Sequence, residues 1–388
     1  MMEIIADRQQ LSSHLQKIQS ILEKSSSLSK AENILLKTTG DRLEIIAYDQ
    51  NCSARGIQDI EIKQPGSISV NGRKIFDLVR SLSDAKVSIR QESESSLILI
   101  EDTKSSFKIL SADVDEFPEI DFNTPAAYLR IDSHILSQLI DLTVFSVAKI
   151  ADPRYNLQGV FLEIDPVNGL SENETETMEK EIAAGSHFFS LIATDGHRVS
   201  VARTTEVSGR INLGERKIFS RKSLQEIRSV FNNEEMLNLG FSHNEVVVWG
   251  DEFILILRML QGDFPDYRKM IPEHFSHRLV VDREALLNTL KQMNLLAQEQ
   301  YKGVIFDIVP GSMKISINNP EMGHGHTEMV LDYQGDPVKI GFNISYLMDF
   351  LQALPDQSVV FFINDKTQPC LIKGDEHEDY MCGIMPIS

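Results

Sequence analysis

A carboxylate, an imidazole and a guanidinium lie within residues 193–198, ATDGHR, around one glycine. Asp195 and His197 could serve a hydrolase as an acid–base pair, provided that a nucleophile or a metal lies beside them. The sequence has no G-x-S-x-G elbow, no H-E-x-x-H helix and no P-loop or Rossmann glycine pattern. A hydrolase is kept as the alternative, and the first hypothesis is that this stretch only binds.

Histidines and cysteines offer the other candidate sites. His324 and His326 could ligate a metal, but two histidines two residues apart in PEMGHGHTE are more typical of an exposed polar loop. Cys52, Cys370 and Cys382 are too few and too unevenly spaced for a disulfide framework or a zinc cluster, which indicates a reducing cytosol. We predict no catalytic residue, no metal and no cofactor.

The length of 388 residues indicates two or three domains, and a hydrophobic content of 42% is enough for several cores. The sequence contains no apolar run of membrane-spanning length and no signal-peptide pattern. We therefore expect a soluble, cytoplasmic protein with no membrane partner. The net charge of −19 repels nucleic acid, so a DNA-binding role requires that the basic residues be segregated on one surface.

Two helix patterns each occur three times along the chain. The first begins with an aspartate at 7, 132 and 282, the expected N-cap, followed by apolar residues four apart. These are Leu11, Leu136 and Leu286, then Leu15, Ile140 and Leu290. The second pattern starts near residues 70, 219 and 342 and aligns without gaps, so that Asp77, Glu226 and Asp349 coincide. Each repeat is therefore predicted to contain two amphipathic helices.

Alternating and apolar β-type runs lie between these helices. In each repeat one run ends in a related triplet, AYD at Asp49, ATD at Asp195 and INN at Asn319, so ATDGHR is predicted to end a strand. Proline-containing segments at 115–125 and 262–272 are interpreted as linkers. We predict an α+β fold of three repeated domains, 1–126, 127–276 and 277–388, each with two helices and roughly eight strands.

Five motifs occur in order along the chain: RYNLQGVFLE at 154–163, ATDGHR, GDFPDYRKMIP at 262–272, GFNISYLMDFL at 341–351 and a C-terminal IMPIS. Together they closely resemble the bacterial sliding clamp family, the beta subunits of DNA polymerase III, over essentially the whole chain. The resemblance implies a non-catalytic processivity factor, a head-to-tail homodimer whose six domains form a ring around double-stranded DNA. It also implies partners: the polymerase III alpha subunit, the clamp loader complex, and other polymerases and repair proteins that carry clamp-binding peptides.

In that family a glutamine-containing peptide with apolar and aromatic residues inserts between the second and third domains. Matched motif by motif, the resemblance assigns this cleft to Leu157, Thr194, Gly196, His197, Arg198, Val199, Pro265, Lys269, Met270, Asn343, Tyr346, Met385 and Pro386. Gly196 is expected to allow the turn, and His197 and Arg198 to form a wall. For most of these residues ordinary packing between domains is the alternative interpretation.

Basic residues on the repeated helices are the candidates for contacts with DNA phosphates, which carry no sequence information. The candidate set is Lys24, Arg73, Arg80, Arg221 and Lys222, and the resemblance adds Arg154 and Tyr155 of the DPRYN loop. Asn156 stands where some members have an aromatic residue. A solvated helix face is the alternative interpretation of each cation.

The resemblance places the dimer interface between the first domain of one chain and the third domain of the other. The matching positions are Lys104, Phe107, Leu110, Leu295 and Leu296. Where some members have a glutamate-rich segment, this chain has GHGH, which predicts weaker charge pairing. An acidic insertion at 165–186 is interpreted as an exposed hairpin extension or a disordered loop. A monomeric repeat scaffold without a DNA role is a further alternative.

Overall fold

The computed structural model describes residues 2–22, 32–92, 96–149, 151–167, 179–212, 216–242, 244–298 and 302–387. No helix within these ranges is long and apolar enough to cross a membrane. The helices come in three pairs, as predicted: α1 (Arg8–Ile18) and α2 (Gly72–Ser81), α3 (Ser133–Asp141) and α4 (Arg221–Val230), α5 (Arg283–Asn294) and α6 (Ile344–Ala353).

In each repeat one strand precedes the first helix, four to six strands lie between the two helices, and three strands follow the second helix. The first repeat contains β1 (Glu3–Asp7), β2 (Asn33–Thr39), β3 (Arg42–Tyr48), β4 (Cys52–Asp59), β5 (Glu61–Gln64), β6 (Ser67–Asn71), β7 (Lys86–Gln91), β8 (Leu97–Glu101) and β9 (Ser106–Ala112). The second contains β10 (Tyr128–Asp132), β11 (Gly159–Pro166), β12 (Glu179–Ile182), β13 (His187–Thr194), β14 (Arg198–Thr204), β15 (Val207–Asn212), β16 (Arg216–Ser220), β17 (Met236–Phe241), β18 (Glu245–Trp249) and β19 (Phe253–Arg258). The third contains β20 (His277–Asp282), β21 (Gly303–Val309), β22 (Ser312–Asn319), β23 (Gly323–Val330), β24 (Val338–Asn343), β25 (Ser358–Ile363), β26 (Cys370–Gly374) and β27 (Tyr380–Ile384).

Each helix begins where a polar side chain caps it. The predicted aspartate caps are confirmed, because Asp7, Asp132 and Asp282 each accept a hydrogen bond of 2.7–2.8 Å from an amide of the first turn. The second helix of each pair is capped in the same way, by Asn71, Ser220 and Asn343. The predicted apolar stripes are buried: the six residues of the first pattern are at most 2% exposed. The helices thereby pack their apolar faces against the sheets.

Two antiparallel sheets make up each repeat. One sheet has the strand order β4-β3-β2-β6 in the first repeat, β14-β13-β11-β16 in the second and β23-β22-β21-β24 in the third. The other contains the last strand of the repeat: β9-β8-β7-β1-β5, then β19-β18-β17-β10-β15-β12, then β27-β26-β25-β20. The mixed architecture of three two-helix repeats on antiparallel sheets agrees with the predicted α+β class.

The repeats join edge to edge through their sheets. At the first junction β4 pairs antiparallel with β19, residues 52–56 against residues 253–257. At the second junction β14 pairs with β27, residues 198–202 against residues 380–384. Both junctions therefore extend a sheet of one repeat into a sheet of the next by backbone hydrogen bonds.

The proline-containing linkers do more than connect repeats. In residues 115–125, the first strap, Phe117, Ile120 and Phe122 pack with strand residues from both sides of the first junction. In residues 262–272, the second strap, Phe264 and Tyr267 belong to an apolar cluster that covers the second junction. Each strap lies on the sheet face opposite the helices and shields the apolar residues there from water.

The acidic insertion is only partly within the described residues. Its visible part includes β12, which pairs with β15 at one end of a sheet, so this portion is an added edge strand. The rest of the prediction, residues 168–178, lies outside the described residues, as does Lys24.

Candidate functional site

The ATDGHR stretch forms the turn between β13 and β14, as its predicted position at a strand end requires. The Asp195 carboxylate accepts hydrogen bonds from the backbone amides of His197 (3.0 Å) and Arg198 (3.1 Å). Gly196 takes a φ of 86°, a left-handed conformation that favours glycine. His197 is consequently turned into solvent, and the Asp195 oxygens bind turn amides and a guanidinium. This geometry does not form the acid–base pair that a hydrolase needs.

Arg198 is a buried charge beside the turn, with 6% of its surface exposed. Its guanidinium donates to Asp195 Oδ2 (3.2 Å), to Asp349 Oδ2 (2.8 Å) and to the Phe145 carbonyl (2.6 Å). It also lies over the Tyr346 ring, 4.3 Å from the ring centroid. Burial raises the pKa of the Tyr346 phenol, so this side chain stays neutral at pH 7. Arg198 thus holds the turn, α6 and the second junction together.

The apolar floor next to the turn combines residues that the motifs predicted. Val199 packs in the cluster under the second strap, together with Met270. Thr194 is 1% exposed and donates from its hydroxyl to the Arg198 carbonyl at 2.6 Å, and Leu157 is 4% exposed. Asn343 caps α6 through Ser345 N (3.0 Å). These contacts support the position of the predicted cleft, although packing between domains uses the same atoms.

The C-terminal residues pass beside the turn. The Met385 amide donates to the His197 carbonyl at 2.8 Å, and the Ile387 amide donates to the Gly341 carbonyl at 2.8 Å. Met385 and Pro386 remain half-buried between these two anchors. The tail therefore presents a flexible thioether and a proline ring next to the exposed His197.

The second strap contains residues whose role the sequence did not reveal. Tyr267 donates from its hydroxyl to Glu163 (3.1 Å), a carboxylate on β11 that is 3% exposed. Arg268 pairs with the same Glu163 and with Asp165, both at 2.7 Å. Burial raises the pKa of Tyr267, and the negative charge of Glu163 raises it further. These contacts fasten the strap to β11, and the predicted cleft residues Pro265 and Lys269 stay exposed on it.

A stacked pair and a cavity adjoin this fastening. The Phe264 ring lies parallel to Phe161, with 4.7 Å between centroids. A cavity of about 710 Å³ is lined by both rings and by Arg216 and Arg268. One sequence pattern could have indicated this network. In FLEID, residues 161–165, the alternation of a strand places Glu163 and Asp165 on the same side, opposite Arg268 of the strap.

The predicted DNA contacts differ in how far other groups already engage them. Arg73 and Arg80 are exposed on α2, and neither forms an ion pair with any described carboxylate. Lys222 pairs with Asp49 across the first junction, which neutralises its charge. Arg221 donates to the carbonyls of Val144 (3.1 Å) and Val147 (3.5 Å).

The DPRYN loop reaches the turn of the candidate cleft. Arg154 binds Asp152 through two nitrogens at 2.9 and 2.7 Å and donates to the Asp195 carbonyl at 2.9 Å. Hydrogen bonds from the Arg154 side chain and, to a smaller extent, from the Arg154 backbone amide lower the pKa of Asp152 to about 2. Tyr155 lies in a short 3-10 turn, residues 155–157. Arg154 therefore connects the predicted DNA loop, to which it belongs, with the turn of the predicted cleft.

The predicted interface residues lie on β9, in the turn before it, and just after α5. Phe107 and Leu110 on β9 are 37% and 74% exposed, and Lys104 is exposed in the preceding turn. Leu295 is 79% exposed just after α5, whereas Leu296 packs partly against the core. Large exposed apolar side chains of this kind are typical of surfaces that meet a partner.

The prediction that His324 and His326 lie in a loop was wrong in its backbone conformation. Both are exposed, but they belong to β23, which pairs with β22 over its whole length. The turn ends earlier, at Met322, because Asn319 accepts hydrogen bonds from the amides of Glu321 (2.9 Å) and Met322 (3.3 Å). Among the described residues no group of three or more His, Cys, Asp or Glu side chains could hold a metal.

Comparison with known families accounts for this arrangement. Models of the DNA polymerase III beta subunit match the chain in order: the N-terminal domain at residues 2–121, the central domain at 178–266 and the C-terminal domain at 268–388. The chain belongs to the DNA polymerase III beta subunit family. It is therefore a DNA sliding clamp, a processivity factor and not an enzyme, as predicted.

Individual relatives match over the full length. The beta sliding clamp of Pseudomonas putida is 27% identical over 391 residues, covering 100% of both chains. The crystal structure of the Pseudomonas aeruginosa DNA polymerase III subunit beta has a TM-score of 0.86 at 26% identity, again over 100% of both chains. A P. aeruginosa sliding clamp bound to griselimycin has a TM-score of 0.86 at 25% identity, over 100% of this chain and 99% of that one. The three-domain fold is thus shared with sliding clamps.

Proposed function

We propose that two copies of this clamp close head to tail into a ring around double-stranded DNA, and that partner proteins dock a peptide in the cleft at the second junction. The domain bounds 1–126, 127–276 and 277–388 and a cytoplasmic location are part of the same proposal. The observation that carries the ring is the way in which the three repeats already join.

The junctions inside the chain follow one rule. The first-named strand of the sheet β4-β3-β2-β6 or β14-β13-β11-β16 pairs with the last strand of the next repeat, β19 or β27. In the third repeat the corresponding strand is β23, which is the end strand of its sheet. In the first repeat the last strand is β9, which pairs with β6 only through residues 111 and 112 on its outer side. Applied once more, the rule pairs β23 of one chain with β9 of another.

The register of this third pairing follows from the first two. Ala54 lies opposite Leu255 at the first junction, and Ser200 lies opposite Cys382 at the second. Across the hairpin with the preceding strand, Ala54 lies opposite Ala47 and Ser200 opposite Ala193, and the equivalent pair in the third repeat is Gly325 opposite Ile317. Counted through the hairpin from β8 to β9, the residue equivalent to Leu255 and Cys382 is Phe107. We therefore place Phe107 of one chain against Gly325 of the other.

The side chains suit this register. Phe107 is large and exposed, and Gly325 presents no side chain that would exclude it. A Cβ at Gly325 would lie 3.3 Å from Leu296 and 3.7 Å from the Met293 sulfur, so apolar atoms line the place that the Phe107 ring would enter. A paired edge would also remove two exposed strand edges that otherwise invite aggregation.

The charge distribution supports DNA as the ligand of the ring. The six helices contain ten Lys and Arg but five Asp and Glu, whereas the whole chain has 38 and 57. Positive charge is therefore concentrated on the helices, as the sequence analysis required for an acidic DNA-binding protein. Helices that face the hole would contact phosphates without reading sequence, which permits sliding.

The cleft proposal rests on the exposed turn and tail beside a buried apolar floor. A partner peptide would contact His197, Met385 and Pro386, and its apolar side chains would reach toward Val199 and Met270. The expected partners are the polymerase III alpha subunit, the clamp loader and the other polymerases and repair proteins with such peptides.

The ring is tested by the mass in solution of Phe107→Asp. Wild type is expected to remain a dimer of the 43.8 kDa chain on dilution, and Phe107→Asp is expected to be a monomer. Met236→Asp changes an apolar residue of similar exposure, 39%, away from both edges and should stay dimeric. Light scattering after size exclusion measures all three. A dimeric Phe107→Asp protein would rule out the proposed pairing of β23 with β9.

The cleft is tested by removing the residues after Ile384. We expect the truncated clamp to keep its far-ultraviolet circular dichroism and to lose at least tenfold in affinity for a glutamine-containing clamp-binding peptide. Fluorescence anisotropy of a labelled peptide measures the affinity. Normal binding by the folded truncation would show that the peptide docks elsewhere.

A further inference from the structure

We propose that the seam between the two chains is pH-sensitive, and that uptake of protons by His324 and His326 weakens it. The inference rests on the proposed ring, because the two histidines meet other charges only if β23 pairs with β9. The seam is the pairing of β23 of one chain with β9 of the other.

The histidines occupy the outer face of an unpaired edge. Along β23 the exposed positions alternate, with His324, His326 and Glu328 on one face and Gly325 on the other. On the neighbouring strand β22, His324 lies opposite Asn318 and His326 opposite Ser316. Neither neighbour is charged, so both imidazoles are available to groups that arrive from the other side of the strand.

The seam register identifies those groups. With Gly325 opposite Phe107, His324 lies opposite Lys108 of the second chain, and His326 lies opposite Ser106. Glu328 lies opposite Lys104. This pair is equivalent to Ile57 and Glu252 at the first junction, where the Ile57 amide donates to the Glu252 carbonyl at 2.9 Å. Residues directly opposite on one face have Cβ atoms about 4.5–5.5 Å apart. Pairing therefore brings a lysine directly against His324.

Carboxylates accompany the basic residues of the arriving edge. Lys108 pairs with Glu92 at 2.6 Å, and Arg90 pairs with Glu101 at 4.0 Å. Both carboxylates lie on the β8 side of β9, away from the seam.

The turn before β9 is also mixed in charge. Lys104 is in no described ion pair, and Asp84 and Asp102 accept hydrogen bonds from amides of the same turn. The charged group of the second chain that lies directly opposite a histidine is therefore the Lys108 ammonium.

Other elements at the seam add two opposite charges. By the repeat equivalence, α2 of the second chain brings Arg73 and Asp77 near the Asn319 turn, in the places that Lys222 and Glu226 take at the first junction. Both come from the helix side of the sheet, so they face Glu321 and Met322 rather than the two imidazoles.

The acids and the base next to the histidines on their own chain do not change on pairing. Glu321, Glu328 and Lys314 have the same positions in a free chain and in the ring. The response of the seam to protons depends only on the difference between the two states. Since pairing places the Lys108 ammonium closest to the imidazoles, protonated imidazoles favour the free chain. An imidazole gains its proton between about pH 7 and pH 5, so the seam weakens over that range.

The test is the dimer dissociation constant at pH 7.5 and at pH 5.5, measured by fluorescence-monitored dilution of labelled full-length clamp. A ring has two seams and four such histidines, and we expect the dissociation constant to rise roughly tenfold at the lower pH. The double variant His324→Gln/His326→Gln should lose most of this rise. His134→Gln, a change of an exposed histidine on α3 away from both edges, should keep it.

A further variant identifies the opposing charge. Lys108→Gln should reduce the pH response while both histidines are still present. A dimer whose dissociation constant is equal at the two pH values would overturn this inference but leave the ring intact, and so would an unchanged response in the double glutamine variant. Absence of a dimer at pH 7.5 would instead overturn the proposed ring itself.

Discussion

At the first junction, between β4 and β19, and at the second, between β14 and β27, an aspartate closes the turn before the pairing strand. Asp49 accepts hydrogen bonds from the amides two and three residues later, and Asp195 does the same. Each turn also faces a carboxylate at the same position on the second helix of the next repeat, Glu226 on α4 at the first junction and Asp349 on α6 at the second. The two junctions therefore share their backbone and both of their acids.

The cations differ. At the second junction Arg198 binds both carboxylates, Asp195 and Asp349. The first junction has Cys52 at the corresponding place, so Lys222 pairs with Asp49 and Glu226 accepts a hydrogen bond from Ser20. The same scaffold thus becomes a closed contact or a candidate cleft according to a few side chains and the added C-terminal tail.

The largest expected effect comes from Arg198→Ala. The substitution leaves Asp195 and Asp349 without their shared cation and the Phe145 carbonyl without a donor, so we expect a loss of about 3 kcal/mol in unfolding free energy. Urea denaturation at pH 7 measures it. Arg203→Ala breaks the exposed pair with Asp379 and should change stability by less than about 1 kcal/mol. Equal losses in the two variants would contradict a special role for Arg198.

The equivalent carboxylates should respond with opposite signs. Burial raises the pKa of Glu226, and the Ser20 hydrogen bond only partly offsets this. Glu226→Gln removes a desolvated charge, so we expect a gain of up to about 1 kcal/mol at pH 7. Asp349→Asn removes a partner of Arg198 and should be destabilising. A destabilised Glu226→Gln protein would mean that its charge is needed at the first junction.

The pH dependence of the Glu226→Gln effect follows from the direction of the pKa shift. A carboxyl whose pKa is higher in the folded chain loses stability as pH rises above the pKa of unfolded glutamate, about 4.3. The advantage of the glutamine variant should therefore be full at pH 7 and absent below about pH 4. Denaturation series at both pH values distinguish this from a gain in packing, which would persist in acid.

The smallest effect separates two cations that the sequence placed in one group. Arg80 is exposed on α2, whereas Lys222 is held by Asp49. Arg80→Gln should reduce the slope of log affinity for DNA against log salt by roughly one, and Lys222→Gln should leave the slope nearly unchanged. A salt titration of binding to a short duplex measures both. The reverse order would show that Asp49 releases Lys222 to the DNA.

The elements that the sequence predicted are those set by local rules. Capping aspartates and four-residue apolar spacing depend on neighbours within one or two turns, so the helices α1, α3 and α5 could be found. The repeated triplets located the turns at Asp49 and Asp195 for the same reason. The resemblance to the family supplied the cleft and interface residues, which remain proposals.

What could not be predicted depends on contacts distant in the chain. Arg198 reaches Asp349 and Phe145, which are 151 and 53 residues away. Lys222 finds Asp49 across a junction 173 residues away, and no local pattern distinguishes it from a free cation on a helix face. The loop assigned to the two histidines became a strand because pairing with β22 outweighed the low strand preference of glycine.

The straps have a mechanical consequence. Each junction within the chain has a row of five paired residues and an apolar strap across the same face, so it has two fastenings in parallel. In the proposed ring the third joint would have its row of strand pairs and the contact of Phe107 with Leu296 and Met293, and neither of the two straps crosses it. Each chain would then behave as a stiff arc, and a pull on the ring would part it at the unstrapped joints, with the hydrogen bonds breaking one after another from one end of the strand.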